Sequence, residues 1–191
     1  MGKVIVFTKM KGGSKMAGYS IRQIEDKAAE VLKQCSMNNE IPVDPVLIAN
    51  ELGIRVYAGN FIDQNMSGVI RKDGSNIEIL VCEDHHVNRQ RFTIAHEIGH
   101  YKLHIDDQLL NKKDHVEYER NNTYNAEEAE ANSFAAALLM PREALLDEYN
   151  KCKPLLEYTD ILVNFLAVRF KVSEQAMQRR LSDLGLISLG W

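Results

Sequence analysis

Three histidines fall within nine residues, in the segment TIAHEIGHYKLH at residues 93–104, and the whole chain has only six. His96, Glu97 and His100 form an HExxH pattern. On a helix, residues four apart lie about 40° apart around the axis and one turn along it, so both imidazoles can reach one ion. Glu97 lies beside them, where a carboxylate can take a proton from an attacking water. The pattern predicts metal-dependent hydrolysis, with zinc as the ion because neutral imidazoles suit it.

Catalytic zinc sites take three protein ligands and a water, and the motif supplies only two of the three. A third histidine six residues after the second would stand at position 106, which is Asp106. His104 lies about 12 Å from His96 along the helix axis, too far to share one ion with it. We therefore expect His104 to be a partner of another side chain or a surface residue.

A glutamate from a second helix is the other standard solution, and AEEAEANSFAAALLMP offers Glu127, Glu128 and Glu130. Asn132 lies one turn after Glu128, where its amide could hydrogen-bond a ligand histidine from outside the ligand set. With Asn125 as N-cap, however, Glu128 would occupy the capping-box position, in competition with metal binding. These residues alone favour Glu128 over Glu130 and leave the choice open.

Hydrophobic periodicity predicts the elements that position these residues. The first half reads as a helix capped by Ser20, a helix from Pro45 to Gly53, a strand IRVYAG and a hairpin turning at KDGSN. Asn88 is a candidate N-cap for the HExxH helix, and Gly99 keeps that helix slim where another element packs closely. Residues 105–124 read as a long polar loop, followed by a helix that ends at Pro141.

The last part of the chain, DILVNFLAVRFKVSEQAMQRRLSDLGLI, has a helix-turn-helix pattern with Ser173 as a cap. A DNA-reading helix should be more basic than this segment, in which Glu174 and Asp183 offset part of the positive charge. The apolar positions predict packing on the core instead: Leu162, Phe165, Leu166, Phe170, Met177, Leu181 and Leu184.

Composition indicates one globular domain with a small appendage, since 45% of the 191 residues are apolar and 26% are charged. The net charge of −4 gives no basic field for nucleic acid, so direct nucleic-acid binding is not expected. Nor do we expect a membrane span, because no apolar run reaches about 18 residues.

Three scattered cysteines, Cys35, Cys82 and Cys152, suit free thiols in a cytoplasmic protein. Residues 1–19 read as a flexible basic arm.

The segments RFTIAHEIGHYKLH and EAEANSFAAALLMP together resemble the ImmA/IrrE metallopeptidases, as do IPVDPVLIANELGIRV and the C-terminal segment. The resemblance runs from about residue 41 to residue 187. It implies one zinc ion per chain, bound by His96, His100 and Glu128. Glu97 matches the catalytic glutamate of the family, and Glu128 begins its E-x-x-(A/C)-N segment, which ends at Asn132.

We accordingly expect an α+β fold. Its mainly helical zincin-like core, residues 20–150, would carry a small antiparallel sheet. A C-terminal helix-turn-helix-like segment, residues 151–191, would pack on that core. An edge strand within residues 67–81 is a candidate site for an extended substrate. Tyr118 and His115, in the polar loop, are candidates for stabilising the transition state.

The function that the resemblance implies is an intracellular zinc-dependent endopeptidase. Its substrate would be a helix-turn-helix transcriptional repressor encoded nearby, in phage, mobile-element or stress regulation. The alternative is a zinc-containing, non-catalytic binding partner in a repressor complex or a toxin–antitoxin-like pair.

Overall fold

The computed structural model of the chain covers most of its length. It describes residues 18–38, 40–63, 65–73, 76–104, 115–118, 126–153 and 159–188. Of the predicted basic arm, only the last two residues, Gly18 and Tyr19, lie within this part.

Two helices open the described chain. Helix α1 (Ile21–Gln34) begins with the predicted cap: Ser20 Oγ accepts the Gln23 N–H at 3.3 Å, while the Ser20 N–H donates to Gln23 Oε1 at 2.9 Å. Helix α2 (Pro45–Glu51) begins at Pro45 and ends before Gly53, whose φ of 75° favours glycine. Both helix predictions are confirmed.

The sheet has the order β1-β3-β2-β4, with β1 (Ile54–Gly59), β2 (Gly68–Asp73), β3 (Asn76–Cys82) and β4 (His115–Tyr118). The predicted β2–β3 hairpin is present, with Ile70 opposite Ile79. The sheet is mixed rather than antiparallel, because β3 takes the place beside β1 and runs parallel to it.

Strand β4 lies inside the stretch predicted to be a loop, and it pairs antiparallel with residues 70–73 of β2. The sequence HVEY is short and surrounded by polar residues, so its pattern did not reveal a strand. Because β4 covers this part of β2, the expected substrate edge within residues 67–81 is reduced among the described residues to Gly68 and Val69.

Helix α3 (Val87–Leu103) carries the HExxH segment and is central, since every residue from 93 to 100 is buried. Its N-cap is His86, whose Nδ1 accepts the Asn88 N–H at 3.2 Å, so the predicted cap Asn88 is wrong. The Asn88 amide instead donates to the carbonyl of Val172 at 3.0 Å.

Helix α4 (Ala126–Leu139) crosses α3 closely and ends before Pro141, as predicted. A Cβ at Gly99 would lie 3.2 Å from the Cα and the carbonyl oxygen of Ala131 and from Phe134 Cδ1. The expected close contact at Gly99 is therefore with α4, and it sets the distance between the two helices.

Three helices complete the described chain: α5 (Arg142–Cys152), α6 (Thr159–Phe170) and α7 (Glu174–Asp183). Ser173 caps α7 by accepting the Ala176 N–H at 3.2 Å. Most of the predicted core positions of α6 and α7 lie in the same buried cluster as α1, α3 and α4, but Phe165 is 44% exposed. The fold class is the expected one, mainly helical α+β.

Two arginines of the C-terminal helices pair with acidic side chains of other helices. Arg180, 5% exposed, forms an ion pair with Glu25 on α1 and donates to the Met140 carbonyl at 3.1 and 3.2 Å. Arg169 pairs with Glu148 on α5. These two arginines therefore join helices rather than form a basic surface. Among the described helices, none combines the length and the apolar character needed to cross a bilayer.

Candidate metal centre

Helices α3 and α4 bring three donor groups together. His96 Nε2 lies 3.3 Å from Glu128 Oε2, and His100 Nε2 lies 3.2 Å from Glu128 Oε1. The two Nε2 atoms are 2.8 Å apart. The donor atoms of this cluster all lie within 4.8 Å of one another, and it is the one cluster of three or more such residues found in the described part of the chain.

The donor set fits a tetrahedral zinc ion. Ligand bonds of about 2.0–2.1 Å at tetrahedral angles separate two donor atoms by about 3.3 Å. The contacts of Glu128 with both histidines already have this length, at 3.2 and 3.3 Å. The histidine pair, at 2.8 Å, would open by about half an ångström. Two imidazoles and one carboxylate are also a ligand set used by catalytic zinc sites.

The protonation states suit a divalent cation. Burial lowers the pKa of His100 to about 4, against the opposing effect of Glu128, so this imidazole is neutral at neutral pH. Burial alone would raise the pKa of Glu128, but hydrogen bonds with His100 and His96 bring it below its ordinary value. The cluster thus offers a neutral imidazole and an anionic carboxylate without first losing a proton from either.

Each histidine also has a partner on the far side of its ring. His96 Nδ1 donates to Asn132 Oδ1 at 2.9 Å, the contact considered for Asn132 from the sequence. His100 Nδ1 lies 3.1 Å from His104 Nδ1, and His104 Nε2 lies 2.9 Å from Glu130 Oε2. His104 is therefore a partner of a donor residue, not a surface residue. Glu130, the weaker candidate for third ligand, is bound to His104 and lies outside the donor cluster.

Glu97 is 1% exposed and follows His96 on α3. The start of β2 passes close to it: a Cβ at Gly68 would lie 3.5 Å from Glu97 Oε1 and would overlap Thr93 Cγ2. Only glycine leaves room for the strand here. Gly68 was not among the predicted site residues; the signal available for it in the sequence was its position at the start of the predicted hairpin.

The other two predicted site residues lie on β4. Tyr118 is opposite Ile70 of β2, and His115 is opposite Asp73. Tyr118 is thus nearer than His115 to the Gly68 end of β2, by three residues or about 10 Å. Asn125, the alternative cap, lies outside the described residues.

The fold and this cluster define a helical α+β protein with a two-histidine, one-glutamate candidate metal site. A family model, the IrrE N-terminal-like domain, matches residues 49–182, and the chain belongs to this family. The resemblance noted from the sequence is thereby confirmed.

Two relatives are named radiation response metalloprotease IrrE. The one from Deinococcus deserti is 43% identical over 76 residues, which are 40% of this chain and 27% of the relative. The one from Deinococcus radiodurans is 40% identical over 76 residues, 40% of this chain and 23% of the relative. The matched segment therefore spans about a quarter of each relative's length.

A solved structure described as a Mycobacterium tuberculosis transcriptional regulator has a similar fold. It aligns with a TM-score of 0.55 at 18% identity, over 84% of this chain and 46% of the other. At this identity, the likeness concerns the fold alone.

Proposed function

We propose that this protein is a zinc-dependent endopeptidase that cleaves a protein substrate. The observation that carries the proposal is the convergence of the His96, His100 and Glu128 donor atoms within 4.8 Å, in a member of this family whose Glu97 follows His96 in the chain. The sequence similarity to two proteins named metalloproteases supports it.

His96, His100 and Glu128 hold one zinc ion per chain in this proposal. Zinc bound there would supply Lewis acidity, which activates water and polarises the carbonyl of the scissile peptide bond. Asn132 fixes the His96 ring by accepting its Nδ1–H, so that Nε2 presents its lone pair to the donor cluster.

Glu97 is the general base and then the general acid. Its carboxylate takes the proton of the attacking water and delivers it to the nitrogen of the leaving amine, so that Glu97 ends the reaction in the protonation state in which it began. Glu97 is 1% exposed, so bulk water has little access to this carboxylate.

The start of β2 is the proposed docking edge for an extended substrate. Gly68 and Val69 precede the four residues of β2 that pair with β4, and the strand there passes beside Glu97. A substrate strand added at this edge would bring its backbone next to the base. Between the two candidates for stabilising the oxyanion, the register favours Tyr118, because His115 lies farther along the sheet.

The proposed substrate is a helix-turn-helix transcriptional repressor encoded nearby, cut in the cytoplasm under stress. The family membership supports this class of substrate, and the radiation response in the relatives' names supports a stress setting. Free thiols at Cys35, Cys82 and Cys152 suit a reducing compartment.

The test is to incubate the purified protein with the helix-turn-helix protein encoded beside it and to follow both chains by intact-mass spectrometry. We expect discrete fragments of the repressor, no cleavage after chelation, and recovery when zinc is restored. Cleavage that continues unchanged after chelation would exclude the metal-dependent mechanism. An intact repressor that stays bound in a stable complex would favour the non-catalytic alternative.

A further inference from the structure

His100 begins a chain of hydrogen bonds that leads away from the donor cluster. Its Nδ1 lies 3.1 Å from His104 Nδ1, and His104 Nε2 lies 2.9 Å from Glu130 Oε2. Glu130 Oε1 then accepts the backbone N–H of Tyr19 at 2.8 Å. The chain thus links α3, α4 and the residues that precede α1.

The direction of each bond follows from the chemistry of the groups. With Nε2 of His100 in the donor cluster, its ring proton is on Nδ1, which donates to His104 Nδ1. His104 then carries its proton on Nε2 and donates to the Glu130 carboxylate. Every donor meets an acceptor, and the chain ends on an anion that also accepts a backbone N–H.

These partners are well shielded, since the side chains of His104 and Glu130 are 7% and 11% exposed. A carboxylate hydrogen-bonded through an imidazole in such surroundings fixes ring orientation and increases the electron density that the ligand nitrogen offers. His96 has no such charged relay in the described contacts, because its Nδ1 partner is the neutral amide of Asn132.

Glu130 is itself held by residues 18 and 19. Its Oε1 accepts the Tyr19 N–H, and a Cβ at Gly18 would lie 2.5 Å from the same oxygen. A side chain at position 18 would therefore push the Glu130 carboxylate out of its place. The Tyr19 ring is partly buried against the core, and its centre lies 5.7 Å from Lys27 Nζ on α1. These two contacts hold residues 18 and 19 against α1.

We propose that His104 and Glu130 are positioning residues for His100, and that Gly18 and Tyr19 hold Glu130 in place. Residues that never approach the ion thereby set how tightly the protein binds it. This inference rests on the proposed function, because it assumes that the cluster binds zinc.

The experiment measures the zinc dissociation constant of the full chain by competition with a chromophoric chelator, without substrate. We expect His104→Ala to weaken binding by about 10–100-fold, as loss of such partners does at other metal sites. Glu130→Gln keeps an acceptor but loses the charge, and we expect about a threefold to tenfold loss. For Gly18→Ala we expect a loss of about threefold, because only the carboxylate moves.

A rescue variant separates positioning from simple packing. In His104→Asn, the side-chain oxygen takes the place of Nδ1 and still accepts from His100, but the link to Glu130 is broken, so the loss of affinity should shrink only to the value of about threefold to tenfold expected for Glu130→Gln. The visible spectrum of the cobalt-substituted protein should also shift in His104→Ala and recover in part in His104→Asn. Matched controls are Ser133→Ala on α4, whose hydroxyl bonds only the Ala129 carbonyl among the described contacts, and Gly59→Ala, where a Cβ meets nothing within 4 Å.

Unchanged affinity in both His104→Ala and Glu130→Gln overturns the inference, and so does a His104→Asn variant as weak as His104→Ala. If His104→Ala does not fold, Glu130→Gln and His104→Asn decide alone. If the wild type binds zinc and the variants rank as expected, but the wild type cleaves nothing, the result would support this inference and contradict the proposed peptidase. A wild-type protein with no zinc affinity would contradict the proposed function itself.

Discussion

His96 and His100 look equivalent in the sequence but have different surroundings in the folded protein. One ring is held by an amide, Asn132, and the other by an imidazole that leads to the carboxylate of Glu130. Both face the same carboxylate, Glu128. The candidate site thus has two histidines on α3 whose outer partners, Asn132 and Glu130, lie on α4.

Glu128 can be tested against its own neighbour. We expect Glu128→Ala to lower zinc affinity by more than the 10–100-fold typical of an outer partner, because it removes a proposed ligand. Glu127→Ala is the matched control, because Glu127 is exposed and precedes Glu128 on α4. The sequence also offered Glu127 as a candidate for the third ligand. Metal content after dialysis and chelator competition measure both. Equal affinities in the two variants would show that Glu128 is not a ligand.

The sequence predicted the placement of His96 and His100 along one helix, but it did not predict the contacts between α3, α4 and the segment before α1. His96 and His100 followed from the 3.6-residue period, and the same geometry excluded His104 as a ligand. Glu130 and Tyr19 became partners only through the packing of α4 against α3 and of the segment before α1 against α4. The amino-acid types of these residues carry no signal for that packing.

The distance between helices α3 and α4 decides whether His96 and His100 on one helix can meet Glu128 on the other. Gly99 sets this distance, because the atoms that a Cβ would meet are the backbone of Ala131 and the buried ring of Phe134. Neither can move away as a flexible surface side chain would.

Gly99→Ala should therefore destabilise the protein and weaken zinc binding together. Overpacking costs about 1–3 kcal/mol, and the better helix propensity of alanine returns at most about 1 kcal/mol of this. Thermal unfolding with and without zinc measures both effects. Gly59→Ala, in open space at the end of β1, is the control. A Gly99→Ala protein as stable as the wild type would show that the helices tolerate a wider spacing.

The ion pair between α5 and α6 gives a pH-dependent contribution to stability. The hydrogen bond from Arg169 is the main cause that lowers the pKa of Glu148. Since the folded pKa is below the unfolded one, this contribution is complete above about pH 4.5 and is lost as pH falls through the folded pKa. We expect Glu148→Gln to lower Tm at pH 7, with a smaller difference from the wild type at pH 3.5. A difference that stays constant with pH would contradict this.

Elements were predictable where the sequence carries a local signal. Ser20, Pro45, Ser173 and Pro141 mark helix ends through cap and φ chemistry that needs no tertiary contact. Strand β4 was missed because four residues give too short an alternation, and its pairing with β2 is what makes it a strand. The cap at His86 was missed because histidine rarely accepts the capping bond through its ring.

Arg180 joins α7 to α1, the last and the first of the helices that the structure describes. Its guanidinium reaches Glu25 on α1 and the carbonyl of Met140 at the end of α4. This ties α7 to the helix that supplies Glu128. The C-terminal helices thus pack against α1 and the end of the helix that carries Glu128.

Arg180→Ala should cost about 3 kcal/mol of unfolding free energy, because it leaves the Glu25 carboxylate without this partner and removes two bonds to Met140. Arg179→Ala, at an exposed neighbouring position, should change it by less than about 0.5 kcal/mol. Urea unfolding of the two variants measures the difference. Equal effects would show that the buried pair contributes nothing to holding the C-terminal helices in place.

In the proposed peptidase the base Glu97 is a separate group from the zinc ligands, although it lies on the same helix as two of them, His96 and His100. Glu97→Gln tests this separation most directly when zinc content and repressor cleavage are measured on the same sample. We predict that this variant holds one zinc per chain, as the wild type does, and that its cleavage rate falls by at least about 100-fold, the lower range for loss of a general base. A Glu97→Gln protein that cleaves the repressor at the wild-type rate would show that Glu97 is not the base.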